Sequence, residues 1–119
     1  MSDKLNAKLS VRLFTDDKCF GPGIASLLLW VEKCHSLRSA ATSMGMAYSK
    51  AWTILKSCEK HLGFKLVIST IGGKNGGGAA LTDNARKMLA AYNEYCDALN
   101  AYADRLLDEK FSFYTDLSE

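Results

Sequence analysis

"SLRSAATSMGMAYSKAW", residues 36–52, places two short helical patterns on either side of a single glycine. Ser36 is a suitable N-cap, because its hydroxyl can accept a hydrogen bond from an N–H of the first helical turn. Leu37, Ala40, Ala41 and Met44 share one side of the helix predicted over residues 37–44. Gly45 follows, where a left-handed residue commonly ends a helix. A further helix is predicted from Tyr48 to His61: Ala51, Leu55, Cys58 and Leu62 form one face, while Ser49, Lys50, Thr53, Lys56 and Lys60 point elsewhere. Gly63 stops it. Two helices joined by one tight turn match the helix-turn-helix arrangement. It needs a small residue where the helices touch, a glycine where the chain reverses, and apolar residues at the remaining contacts. Ala41 fills the first demand, Gly45 the second, and Met44, Met46, Ala51 and Ile54 the third.

Upstream, Leu9, Val11 and Leu13 alternate with Lys8, Ser10 and Arg12, the pattern of a half-buried strand. Gly21-Pro22-Gly23 breaks it, and Pro22 suits the first turn of a helix, where its missing N–H costs nothing. Ile24, Leu27, Leu28, Val31 and Cys34 follow at helical spacing, so residues 22–34 are predicted as an amphipathic helix. Downstream, "KLVIST" and "AAL" flank "TIGGKNGGGAAL", residues 70–81, which holds five of the chain's nine glycines. A phosphate-cradling loop would need G-x-x-x-x-G-K-[ST], but Ile68 stands where the first glycine belongs and Asn75 follows Lys74. Two short β-rich runs around glycines read instead as a hairpin, with Lys74 and Asn75 as its contacting side chains and glycines letting the backbone lie close to a partner.

Thr82 and Asp83 open the last helix as N-cap and as an acid at the positive end of the dipole. Ala85, Leu89, Tyr92, Cys96, Leu99, Ala103 and Leu106 are spaced alternately by four and three residues, a seam of period 3.5 that favours helix pairing. A helix of about 25 residues, some 37 Å long, exceeds what so small a domain can cover. A homodimer is therefore expected, joined through Leu89, Tyr92, Cys96, Leu99, Ala103 and Leu106. The fold class expected is mainly α with a small β-hairpin wing: a winged helix-turn-helix over residues 8–81, a dimerisation helix over 82–108 and a tail over 109–119, all in a single domain.

The 119 residues suffice for one domain with a real core, and 48% hydrophobic with 24% charged residues is an ordinary globular composition. Net charge is only +2, but residues 1–80 carry eleven Lys and Arg against five Asp and Glu, and residues 81–119 carry four against eight. A basic front part suggests nucleic-acid contact. No apolar run approaches the roughly 20 residues of a membrane span, and no secretory stretch opens the chain, so a cytoplasmic protein with no membrane partner is expected. Cys19, Cys34, Cys58 and Cys96 stand singly and read as small buried hydrophobes. A zinc site from Cys34, His35, Cys58 and His61 would use an adjacent Cys-His pair, which is not a usual ligand spacing. His35 and His61 lack a neighbouring nucleophile in a known pattern. No metal, no cofactor and no catalysis are expected.

Taken together, "GPG", "GMAYSKAW" and "TIGGKNGGGAALT" resemble the N-terminal DNA-binding domain of the ModE-type molybdate-responsive transcriptional regulators, relatives of LysR-type winged helices, over about Lys8 to Leu107. The resemblance implies double-stranded DNA as partner, a dimer joined through the terminal helices and a palindromic operator. That family senses molybdate through a separate C-terminal module, so sensing of molybdate or another oxyanion is not expected of these residues. Ala47 stands where relatives usually place a serine able to cap the recognition helix, a loss of about 1 kcal/mol.

In a helix-turn-helix the first turn of the recognition helix reaches base edges or phosphates most readily. Lys50 is read as contacting a guanine edge or phosphate, Tyr48 a phosphate or thymine methyl, and Ser49 lies beside them. Thr53 and Lys56 follow along the exposed face, Lys56 as a phosphate contact. Ser36, Arg38 and Ser39 open the preceding helix, whose free N–H groups can bind phosphate. Trp52 is read as core or hinge packing. The rival reading is a dimeric protein-interaction adaptor that no longer binds DNA.

Overall fold

The computed structural model describes residues 4–70 and 78–117. Along the chain run β1 (Leu13–Phe14), β2 (Lys18–Phe20), α1 (Pro22–Cys34), α2 (Leu37–Ser43), α3 (Tyr48–Leu62), β3 (Val67–Thr70), β4 (Gly78–Leu81), α4 (Asp83–Lys110) and α5 (Tyr114–Leu117). The fold is mainly α, with a β wing and a long C-terminal helix.

Local chemistry sets most of the boundaries. Pro22 opens α1, which buries Ile24, Ala25, Leu27, Leu28 and Val31. His35 closes it in the left-handed region, at φ 57°, with its N–H returned to the Val31 carbonyl at 2.8 Å. Ser36 caps α2 as expected: its Oγ accepts from the Ser39 N–H at 3.0 Å. Gly45 (φ 69°) turns the chain and the Met46 N–H donates to the Ala41 carbonyl, which locks α3 against α2. Gly63 (φ 87°) ends α3. Thr82 caps α4, its Oγ1 accepting from the Ala85 N–H at 3.0 Å while donating to the Lys65 carbonyl at 2.8 Å.

β3 and β4 pair antiparallel, from Val67 opposite Leu81 to Thr70 opposite Gly78. Phe20, Leu27, Leu28, Val31 and Leu66 are the large side chains fully enclosed, joined by Ala40, Ala41, Ala51, Leu55 and Ala85. The core therefore lies between α1, α2 and α3 and is closed on one side by the wing's root.

Two expectations are corrected. The strand expected through Leu9, Val11 and Leu13 is instead a short hairpin, with Leu13 opposite Phe20 and Phe14 opposite Lys18. Leu9 is exposed, and the Val11 carbonyl bonds to Tyr92 rather than to a strand. The tail contains one short helix, α5. In the seam of α4, Tyr92 is buried in the chain's own core, where its ring meets Phe20 edge-on at 5.1 Å, and Leu89 and Cys96 pack on the same cluster. Heptad spacing cannot distinguish a partner helix from the chain's own core, and here the core occupies the first part of the stripe. Leu99, Ala103 and Leu106 continue it along α4, half-buried.

At 1.5 Å per residue α4 is about 42 Å long, and it packs on α1 and β4. The molecule accordingly measures 63 × 31 × 21 Å. Its radius of gyration is 18.7 Å, against about 13.5 Å for a compact chain of this length. Among the described residues no helix is long and apolar enough to cross a membrane. Cys19 and Cys58 are buried as expected, whereas Cys34 and Cys96 are half-buried.

Candidate nucleic-acid interface

α3 turns Ala51, Leu55 and Cys58 inward, so helical geometry of about 100° per residue directs Ser49, Thr53, Lys56 and Lys60 outward. Its only acid is Glu59, against Lys50, Lys56 and Lys60. Ser49, Lys50 and Thr53 are exposed; the Thr53 hydroxyl donates back to the Ser49 carbonyl at 2.9 Å.

On one flank, α3 faces the wing across a groove of about 600 Å³. Ser36, Arg38 and Ser39 from the start of α2, Tyr48, Trp52 and Lys56 from α3, and Val67, Ser69, Gly78 and Ala79 from the wing line it. The Arg38 guanidinium lies 4.2 Å from the centroid of the Tyr48 ring, and the Lys56 ammonium 5.7 Å from that of Trp52. Both pairs present a cation over an aromatic face, an arrangement that favours the charged partner. Trp52, expected in core or hinge packing, is not in the core: it is 48% exposed. Trp52 follows the core residue Ala51 by one position and so leaves the core face, while Tyr48, Trp52 and Lys56 recur every fourth residue along the groove.

Five residues expected at the interface, Ser36, Arg38, Ser39, Tyr48 and Lys56, thus share one groove, while Ser49 and Lys50 lie outside its lining. Thr53 lies on the opposite flank, beside Arg12, Lys18 and Ser57 in a depression between α3 and the first hairpin. Lys74 and Asn75 lie outside the described residues. Two expectations need adjustment. The Ser39 N–H is taken by Ser36 Oγ, so it is not a free donor. Lys56 is ion-paired with Glu59 at 3.4 Å.

Glu59, which the sequence reading missed, is nine-tenths buried and holds the wing's root: its Oε2 accepts from the N–H groups of Leu66 at 2.7 Å and Val67 at 3.2 Å. The sequence signal for it was a lone acid three residues after Lys56 on an otherwise basic helix. The wing is also tied to α1, because the His35 carbonyl accepts from the Ala79 N–H at 2.8 Å. Gly78 makes this approach possible, since a Cβ there would lie 2.8 Å from both the His35 carbonyl oxygen and Thr70 Oγ1. Ala47, at the N-cap of α3, makes no side-chain capping bond.

A short capped helix, a glycine turn, an outward basic helix and a two-stranded hairpin anchored beside it make up the front of a mainly α fold with a β wing. Comparison with known proteins narrows the class. Over 89 residues the chain is 36% identical to the transcriptional regulator ModE of Haemophilus influenzae, covering 75% of this chain and 33% of that one. It is 33% identical over 84 residues to the molybdenum transport protein ModE of Azotobacter vinelandii, covering 67% and 31% respectively. Against the DNA-binding transcriptional dual regulator ModE of Escherichia coli K12 it is 30% identical over 105 residues, covering 88% and 38%. The chain is ModE-like across these stretches, as its motifs indicated, and spans about a third of the length of the curated relatives it matches. No protein-family model matches it.

Proposed function

We propose that this chain is a sequence-specific DNA-binding transcriptional regulator that acts as a homodimer on a palindromic operator in double-stranded DNA. The observation that carries the reading is the outward basic face of α3, set between the start of α2 and the wing in a ModE-like chain. In this role α3 enters the major groove, with Ser49, Lys50 and Thr53 toward the bases. Arg38 and Tyr48 meet the backbone at one side, and Lys74 and Asn75 meet it from the wing. Residues 8–81 act as the binding unit of a single domain and 82–108 as its dimerisation helix, with Leu99, Ala103 and Leu106 as the contact stripe. A two-fold dimer presents two α3 helices to half-sites about 34 Å apart, one turn of duplex, which is why the operator is palindromic. The role requires no catalysis and belongs in the cytoplasm.

A second reading, a dimeric protein adaptor, draws on the exposed Trp52 of α3 and Ile68 of β3, which offer apolar area to a protein partner. Salt separates the two. Fluorescence anisotropy with random duplex and with the gene's own upstream DNA, between about 50 and 300 mM salt, should give tight binding that falls steeply with salt and prefers the upstream DNA. Absence of binding at the lowest salt would transfer the assignment to the adaptor.

A further inference from the structure

We infer that Glu59 is a positioning residue that anchors the wing to α3 and at the same time holds Lys56 back from the DNA backbone, so that the Lys56–Glu59 pair limits the sequence-independent part of the affinity for DNA. This rests on the DNA-binding reading above.

Glu59 is the one buried charged residue among the described residues, and the two halves of its carboxylate have different tasks. Oε2 accepts the Leu66 and Val67 N–H groups at 2.7 and 3.2 Å, where the chain leaves α3 and enters β3. Leu66 is fully buried, so its N–H would otherwise stand unpaired in the interior. Oε1 takes the Lys56 ammonium at 3.4 Å. The indole of Trp52 lies on the same ammonium at 5.7 Å. Lys56 is thereby drawn along the helix toward the wing's root instead of standing free on the outward face. A lysine already paired releases few counterions on meeting phosphate. Phosphate contacts carry affinity for any sequence, so restraining one lowers affinity for random and operator duplex alike and flattens the salt dependence of both.

The test compares Glu59→Gln, Glu59→Ala, Lys56→Gln and the double variant Glu59→Gln/Lys56→Gln with the wild type, by salt titration on random and upstream duplexes and by amide exchange. The glutamine amide oxygen can still accept from Leu66 and Val67, so their protection persists in Glu59→Gln and is lost in Glu59→Ala. With Lys56 released, Glu59→Gln gains one phosphate contact. The slope of log affinity against log salt on random duplex steepens by about 0.9, equivalent to about a threefold change in affinity between roughly 50 and 200 mM salt. The same gain appears on upstream DNA, it disappears in the double variant, and Lys56→Gln alone stays near the wild-type slope. A wild type that binds duplex, with Glu59→Gln at an unchanged slope or with its gain surviving in the double variant, overturns this inference alone. So does a slope that drops by a full contact in Lys56→Gln. No duplex binding by the wild type or any variant overturns the DNA reading itself and the inference with it.

Discussion

The phenol of Tyr92 donates a 2.6 Å hydrogen bond to the carbonyl oxygen of Val11, joining residues 81 positions apart. With its ring edge-on to Phe20, this contact fixes the direction in which α4 leaves the core. Tyr92→Phe keeps the ring packing and leaves the Val11 carbonyl without its donor, an expected loss of about 1 kcal/mol. Tyr92→Ala also empties the ring's place in the core, at a cost of about 3–5 kcal/mol. Urea unfolding of both variants checks the order. Equal losses would mean that the hydroxyl, not the ring, holds α4.

At the wing's root, Gly78→Ala would set a methyl group 2.8 Å from the His35 carbonyl oxygen and from Thr70 Oγ1. The His35 contact is backbone at the end of α1 and does not yield without moving the hairpin, whereas the Thr70 hydroxyl is a side-chain atom. Overpacking of this kind costs about 1–3 kcal/mol. The Ala79 amide, bonded to His35, should lose its protection against hydrogen exchange, and duplex affinity should fall with it. Unchanged exchange at Ala79 would show that the wing can slide without consequence.

The caps were legible in the sequence because capping chemistry is local: Ser36, Gly45, Gly63 and Thr82 act within three or four residues of themselves. What escaped depends on distant parts of the chain. Glu59 has a role only because β3 begins beside the last turn of α3. Tyr92 looked like part of a dimer seam because its spacing serves the core and a partner equally. Trp52 escapes for another reason: tryptophan is usually buried, but its angle from Ala51 on the helix carries it off the core face. β2 is three residues long and offered no periodicity to detect.

The N-terminus of α3 has extended backbone at Ala47, φ −67° and ψ 145°, the geometry a capping serine adopts, but no side chain to use it. Ala47→Ser should place a hydroxyl within reach of the Ser49 or Lys50 N–H, in the way Ser36 and Thr82 serve their own helices. The expected gain is about 1 kcal/mol, a rise of roughly 4 °C in Tm for a domain of this size. Thermal unfolding followed by circular dichroism reads it directly. A midpoint no higher than wild type would mean that water already satisfies this helix end.

Cys58 makes stability depend on alkaline pH. Burial pushes its thiol up from an ordinary 9.0 to about 12, with Cys19 and Glu59 nearby adding to the effect, and its S–H donates to the Cys19 carbonyl. The folded state thus holds the proton more tightly than the unfolded chain does. That contribution is fully present below about pH 9 and is lost as pH rises toward 12. Tyr92, also raised, chiefly by burial and then by the neighbouring Cys96 thiol, acts in the same direction above its ordinary range. Unfolding midpoints measured from about pH 8 upward should therefore fall more steeply for the wild type than for Cys58→Ala, which has no thiol to ionise. At pH 8 the Cys58 thiol should also resist alkylation until the protein is unfolded, since the thiolate is the reactive form and burial suppresses it. Parallel pH curves for the two proteins, or rapid alkylation of Cys58 in the native state, would mean that the thiol reaches solvent and that its bond to Cys19 does not persist.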